Sequence, residues 1–221
     1  MTSTTPTEQY RAARDLLLAA RTDPDRAAAF EWPRIEGPFN WAIDWFDPMA
    51  RGNDAPALIV VDDDETHHER TFDELARRSD QLAAWLASRG VRAGHAVLLM
   101  LGNQVELWES MLAIMKLGGV IAPTTTALGP GDLADRIDRA EIRHVIVGSA
   151  DADKFDGAGQ DLGRIVVGEA LPGWARYDDA FLAEAEPARH PGTTADDRLL
   201  LYFTSGTTSK PKLVEHTHAS Y

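Results

Sequence analysis

The densest run of side chains able to do chemistry is Thr204-Ser205-Gly206-Thr207-Thr208-Ser209-Lys210-Pro211-Lys212, delivered by the apolar segment Leu199-Leu200-Leu201-Tyr202-Phe203. Gly206 lets backbone N–H groups approach an anion closely. The hydroxyls of Thr204, Ser205, Thr207, Thr208 and Ser209 offer further donors to phosphate oxygens. Lys210 and Lys212 bring compact positive charge, and Pro211 limits the freedom of the chain between them. A loop of this make-up suits a polyphosphate. It is not a Walker A loop, which needs glycine directly before its lysine and a hydroxyl directly after it, whereas Ser209 precedes Lys210 and Pro211 follows. Composition alone leaves a second reading open, a Ser/Thr-rich turn closing an edge strand.

The two lysines stand out against the rest of the chain. Thirty-five acidic residues against 22 basic ones give the 221 residues a formal charge of −13. That field repels nucleic acid and anionic membranes unless a basic patch reverses it, and none is visible. Only four lysines occur, Lys116, Lys154, Lys210 and Lys212. With no cysteine, disulfides, thiolate metal sites and thiol catalysis are excluded, which fits a reducing compartment. No apolar run approaches the roughly 20 residues of a membrane span. The first thirty residues mix Glu8, Asp15, Asp23 and Asp25 with arginines, unlike a presequence. A cytoplasmic protein with small-molecule ligands is the expectation.

The elements that must position the loop follow from periodicity. Helical spacing over residues 10–20 gives way at Pro24, Pro33, Gly37 and Pro38 to an extended arm rich in aromatics: Trp32, Phe39, Trp41, Trp45 and Phe46. These are read as anchors packing the arm onto a body. Segments 57–61 and 68–71 flank the acidic tip Asp62-Asp63-Asp64-Glu65 and predict a β-hairpin with a solvated turn. Thr71-Phe72-Asp73-Glu74 carries the capping-box signature of a helix start, with Leu75, Leu82, Trp85 and Leu86 as its buried stripe. Strand 96–101, helix 106–117, strand 120–122, helix 131–140, strands 144–147 and 164–167, a small helix at 178–185 and strand 199–203 then alternate. Continuous apolar strands separated by helices predict an α/β fold of parallel βαβ units covered on both faces. Residues 1–55 form the helix and arm; residues 56–221 form an α/β unit that looks unfinished just after the loop.

Tyr202-Phe203-Thr204-Ser205-Gly206-Thr207-Thr208 with Lys210-Pro211-Lys212 closely resembles the phosphate-binding signature of the AMP-forming acyl-CoA synthetase, adenylation-domain and luciferase superfamily. Phe39-Asn40-Trp41-Ala42, Asp44-Trp45-Phe46-Asp47, Gly173-Trp174 and Glu215-His216 extend the likeness toward the medium-chain acyl-CoA synthetase branch, from about residue 39 onward. The resemblance implies the large N-terminal domain of an adenylate-forming enzyme. It further implies a reaction in which a carboxylic acid and ATP give acyl-AMP and pyrophosphate, after which coenzyme A displaces AMP. Thr204, Ser205, Gly206, Thr207, Thr208, Ser209, Lys210, Pro211 and Lys212 are then the cofactor-binding residues, holding phosphates with Mg2+ beside them and taking no covalent part. The superfamily usually has glycine where Ser209 stands, which implies a strained or differently shaped loop. Its later motifs and mobile C-terminal domain have no counterpart here, so no catalytic or metal-ligating residue is assigned and the chain alone is expected to be inactive. Alternatives are a ligase for an aryl or short branched acid, or a non-catalytic fragment binding phosphate or a partner. An incomplete sheet also makes a homo-oligomer an expectation.

Weaker signals are set aside. The run 157–163 imitates a dinucleotide fingerprint but precedes a strand when it should follow one. His216 and His218 lack a third ligand, and His67-His68-Glu69 is read as hairpin surface. Pro123-Thr124-Thr125-Thr126, at the end of a parallel strand, is kept as a secondary candidate for lining an acyl or coenzyme A site.

Overall fold

The computed structural model describes residues 4–159, 161–204 and 211–221. Helix α1, Pro6–Ala20, opens on Thr5 in a capping box: the Glu8 amide donates to Thr5 Oγ1 and the Thr5 amide to Glu8 Oε2. A short helix α2, Pro24–Ala28, is capped by Asp23. The arm beyond it is extended only as far as Asn40, which corrects the expectation. Trp41–Phe46 form a π-helical turn that runs into helix α3, Asp47–Ala50. The cause is local, since Asn40 Oδ1 accepts the amides of Ala42 and Ile43 and so starts the turn. Phe39, Trp45 and Phe46 are buried as anchors, while Trp32 stays exposed.

Strands β1, Pro56–Val61, and β2, His67–Thr71, form the antiparallel hairpin with its acidic tip in solvent. Thr71 then caps helix α4, Phe72–Ser88, in the expected reciprocal pair with Glu74. Strand β3, Ala96–Met100, helix α5, Val105–Lys116, strand β4, Val120–Pro123, helix α6, Pro130–Arg139, and strand β5, Ile142–Gly148, follow in alternation. Helix α5 stops where Gly118, at φ +67, sends its amide to Met115 O and Gly119 sends its amide to Ile114 O. Only a glycine takes that left-handed step cheaply. Strand β6, Gly163–Val167, and the two-residue β7, Ala175–Arg176, complete one flank. The expected helix at 178–185 is instead a 3-10 turn over Tyr177–Phe181. Within the run 157–163, residues 157–159, 161 and 162 lie in turn and loop before β6 begins at Gly163, and Gln160 lies outside the described residues.

Strands β8, Arg198–Thr204, and β9, Lys212–Thr217, complete a seven-stranded sheet in the order β7-β6-β5-β3-β4-β8-β9. All neighbours are parallel except β8 and β9. The two-residue alternation of strand side chains divides the core. Val97, Leu99 and Leu101 face α4 and α5, and Ala96, Leu98 and Met100 face α6. Buried aromatics around Tyr10, Phe39 and Trp45 fasten the arm as a third cluster.

Candidate phosphate-binding site at the β8–β9 stem

Every residue of β8 from Leu199 to Phe203 except Tyr202 is buried, because the strand lies between β4 and β9 with core on both sides. It ends at the carboxyl edge of the parallel sheet, where α/β folds place ligands. The chain leaves at Thr204 and returns at Lys212, and these two are Cα partners in the antiparallel ladder. Thr204 Oγ1 donates to Lys212 O at 3.5 Å, and the Lys212 side chain is exposed. Thr204, Pro211 and Lys212 are therefore brought together at the stem of the loop. Ser205, Gly206, Thr207, Thr208, Ser209 and Lys210 lie outside the described residues.

Parallel pairing of β4 with β8 matches Ile121 to Leu200. Three residues further along each strand stand Thr124 and Phe203, so the Pro123-Thr124-Thr125-Thr126 segment shares the carboxyl edge with the stem. Thr124 is buried with its amide donating to Leu99 O, and Lys154 donates from Nζ to Thr126 O at 2.6 Å. This secondary candidate is a fastened loop next to the stem.

Helix α6 reaches the stem from the other side. Arg136 and Arg139 hold their guanidinium carbons 4.6 and 5.3 Å from the centroid of the Phe203 ring. Arg139 Nη2 donates to Pro211 O at 2.9 Å while Nη1 pairs with Asp135 at 3.1 Å. Burial lowers the Arg136 pKa, a push that Asp132 opposes and Arg139 reinforces. Sequence reasoning missed both arginines, because two arginines three residues apart on a helix carry no signal of the distant strand end they reach.

A second missed group ties the far end of β9 to the arm. Asn40 is wholly buried, donating from Nδ2 to Met115 O at 2.7 Å and to Thr193 Oγ1 at 3.1 Å. His218 is also wholly buried, and its Nδ1 accepts the Trp41 amide at 3.0 Å. Its Nε2 has no hydrogen-bond partner among the described residues. Burial pushes the His218 pKa down to about 4. The ring is thus a neutral structural acceptor, standing one residue past the end of β9 that carries His216. On the hairpin, His68 pairs with Asp62 at 2.9 Å.

A groove of about 540 Å3 exists elsewhere, lined by Glu8, Ala12, Leu16, Arg26 and Phe30. It takes no residue from a strand end and has no convergent charge comparable to the stem.

The family model described as "AMP-binding enzyme" matches residues 46–221, which takes in the stem and the sheet around it. The chain belongs to this family. The mitochondrial acyl-coenzyme A synthetase ACSM5 of Rattus norvegicus is 31% identical over 172 residues, covering 75% of this chain and 30% of the relative. The uncharacterized acyl-CoA ligase YtcI of Bacillus subtilis is 32% identical over 168 residues, covering 73% and 31%. The crystal structure of Brucella canis acyl-CoA synthetase superposes with a TM-score of 0.76 at 26% identity, covering 89% of this chain and 38% of that one. The chain therefore spans 30% to 31% of the length of these two curated relatives. Its sheet and hairpin have the arrangement of the N-terminal domain of adenylate-forming enzymes. No helix among the described residues is long and apolar enough to cross a membrane.

Proposed function

We propose that this chain is the phosphate-gripping N-terminal portion of an AMP-forming acyl-CoA synthetase, with residues 1–55 as arm and residues 56–221 as the α/β part of the nucleotide-binding domain. One observation carries the reading: Thr204 and Lys212 are paired at the carboxyl edge of the sheet, so the run 205–211, with its hydroxyls and lysine, leaves and returns at a single point there. A carboxylate oxygen attacks the α-phosphorus of ATP, the bond to the bridging oxygen breaks, and pyrophosphate leaves with its electron pair. The thiol of coenzyme A, losing its proton, then attacks the acyl carbon and AMP departs. Thr204, Ser205, Gly206, Thr207, Thr208, Ser209, Lys210, Pro211 and Lys212 act on the leaving pyrophosphate by hydrogen bonds and charge alone.

Magnesium enters this reading as part of the MgATP substrate. Among the described residues no group of three His, Cys, Asp or Glu side chains could hold a metal ion. The acid is a small-molecule carboxylic acid; an acyl-coenzyme A synthetase and an acyl-CoA ligase among the relatives support an acyl substrate.

The test is acid-dependent ATP–pyrophosphate exchange by the full-length gene product across aliphatic and aryl acids. Absence of exchange with every acid would sink the reading. Lys212→Ala and Thr208→Ala are expected to lower kcat by about 2 to 4 kcal/mol of transition-state stabilisation each, with the KM for the acid little changed. Unchanged kcat in both variants would remove the loop from the mechanism. The 221-residue chain alone is expected to catalyse no exchange.

A further inference from the structure

We propose that Arg139 is a positioning residue for phosphate binding, fastening the returning stem of the loop from the end of α6. The inference rests on the function proposed above and adds to it a residue outside the loop signature.

Residues of the stem are held at two points. Phe203, just before Thr204, lies under both Arg136 and Arg139 at 4.6 and 5.3 Å. Pro211, just before Lys212, receives the Arg139 Nη2 hydrogen bond at 2.9 Å. Among the described residues the last ladder pair between β8 and β9 is Thr204 with Lys212, and the carbonyl of the preceding Pro211 takes a bond from a side chain. A planar guanidinium suits that task because it offers several fixed donors. One nitrogen of Arg139 holds Asp135 on its own helix, which orients the fork, and another crosses to the stem. The site where the chain re-enters β9 sets where Lys212 stands. The bond links α6 to a carbonyl 72 positions away in sequence.

Arg139→Met keeps an apolar stem over Phe203 and loses the donor, whereas Arg139→Lys keeps a charged donor. In the full-length protein, KM for MgATP, KM for the acid, the affinity for pyrophosphate by calorimetry and the melting temperature would be measured together. Arg139→Met is expected to raise the ATP KM and weaken pyrophosphate binding about tenfold, the worth of one charged hydrogen bond, with the acid KM unchanged. Arg139→Lys should recover most of the loss. Unchanged ATP and pyrophosphate values in Arg139→Met would overturn the proposal, as would an equal rise in both KM values. Should Arg139→Met not fold, Arg139→Gln, whose shorter amide does not span to Pro211, is read by the same criteria. If the wild-type protein shows no acid-dependent exchange, the proposed reaction fails while pyrophosphate affinity still decides the role of Arg139.

Discussion

The two faces of the sheet use charge in opposite ways. On the face covered by α4 and α5, Lys116 is wholly buried between Asp47 at 2.9 Å and Asp80 at 2.7 Å, and Arg51 bridges the same carboxylates at 2.6 and 2.8 Å. Glu109, equally buried, is held by Arg78, by Arg70 at 3.4 Å and by the Tyr177 hydroxyl at 3.0 Å. On the opposite face the buried residue of α6 is Leu133, and its arginines stay at the rim. Interior charges fasten segments far apart in sequence: the arm through Asp47, helix α4 through Asp80, α5 through Lys116, and the 188 region through the Ala188 amide, which donates to Asp80. Rim charges are left to reach the β8–β9 stem. Burial holds the Asp47 carboxyl above its ordinary range even against Lys116 and Arg51. The knot is therefore costly to build, and its value lies in the cost of breaking it.

Breaking that contrast gives the largest expected effect. Asp80→Ala removes one of Lys116's two carboxylates and an Arg51 partner, and should destabilise the fold by about 3 to 5 kcal/mol. Arg139→Met, at the half-exposed rim, should cost under about 1 kcal/mol of stability. Chemical denaturation of both variants decides the matter; equal losses would mean that the two faces are not differently built.

His218 sharpens the comparison within the polar group at the arm. Its folded pKa of about 4 lies below the ordinary histidine value of 6.5, so the neutral ring is the form the fold selects. The unfolded chain binds the proton first as pH falls. Stability is full above about pH 6.5 and declines toward pH 4, by about 3 kcal/mol for this group. Burial, reinforced by His190, lowers that pKa and outweighs Asp197 and Asp44, which act to raise it. His218→Asn keeps an acceptor for the Trp41 amide without a titrating ring, and should flatten this part of the stability profile. An unflattened profile would move the dependence to another group.

Much of this architecture was legible because its signals are local or periodic. The five apolar residues of β3 are all buried, and such a run has few readings other than a strand covered on both sides. Thr71 and Glu74 announce the start of α4 by a contact three residues long. The residue types of the loop point to phosphate without any coordinates. What escaped depends on pairing across long separations. Lys116 and Glu109 look in sequence like ordinary helix-surface charges, and only packing against Asp80 and Arg78 explains their burial. The antiparallel return of β9 and the strand order are set by side chains that meet in space. Asn40 was visible as part of a family-like string, but the bond from its Nδ2 to Met115 O, 75 positions away, has no local signal.

The smallest expected effects concern how the helices of the two faces begin. Helix α4 opens with both hydrogen bonds of its capping box, whereas α6 opens at Gly129, with no side-chain bond to its first amides. Thr71→Ala leaves the Glu74 amide without its acceptor and should cost about 1 kcal/mol. Gly129 has extended backbone at φ −93 and ψ 172, the geometry of an N-cap, and a Cβ built there meets nothing within 4 Å. Gly129→Ser can therefore supply the missing acceptor without strain, and it also reduces the freedom of the unfolded chain. A gain of a few tenths of a kcal/mol is expected. Because α6 carries Arg136 and Arg139, a firmer first turn should leave pyrophosphate affinity unchanged if the arginines are already held by Phe203 and Pro211. Tighter binding in Gly129→Ser would instead show that the helix, and not the arginine contacts, limits how well the stem is placed.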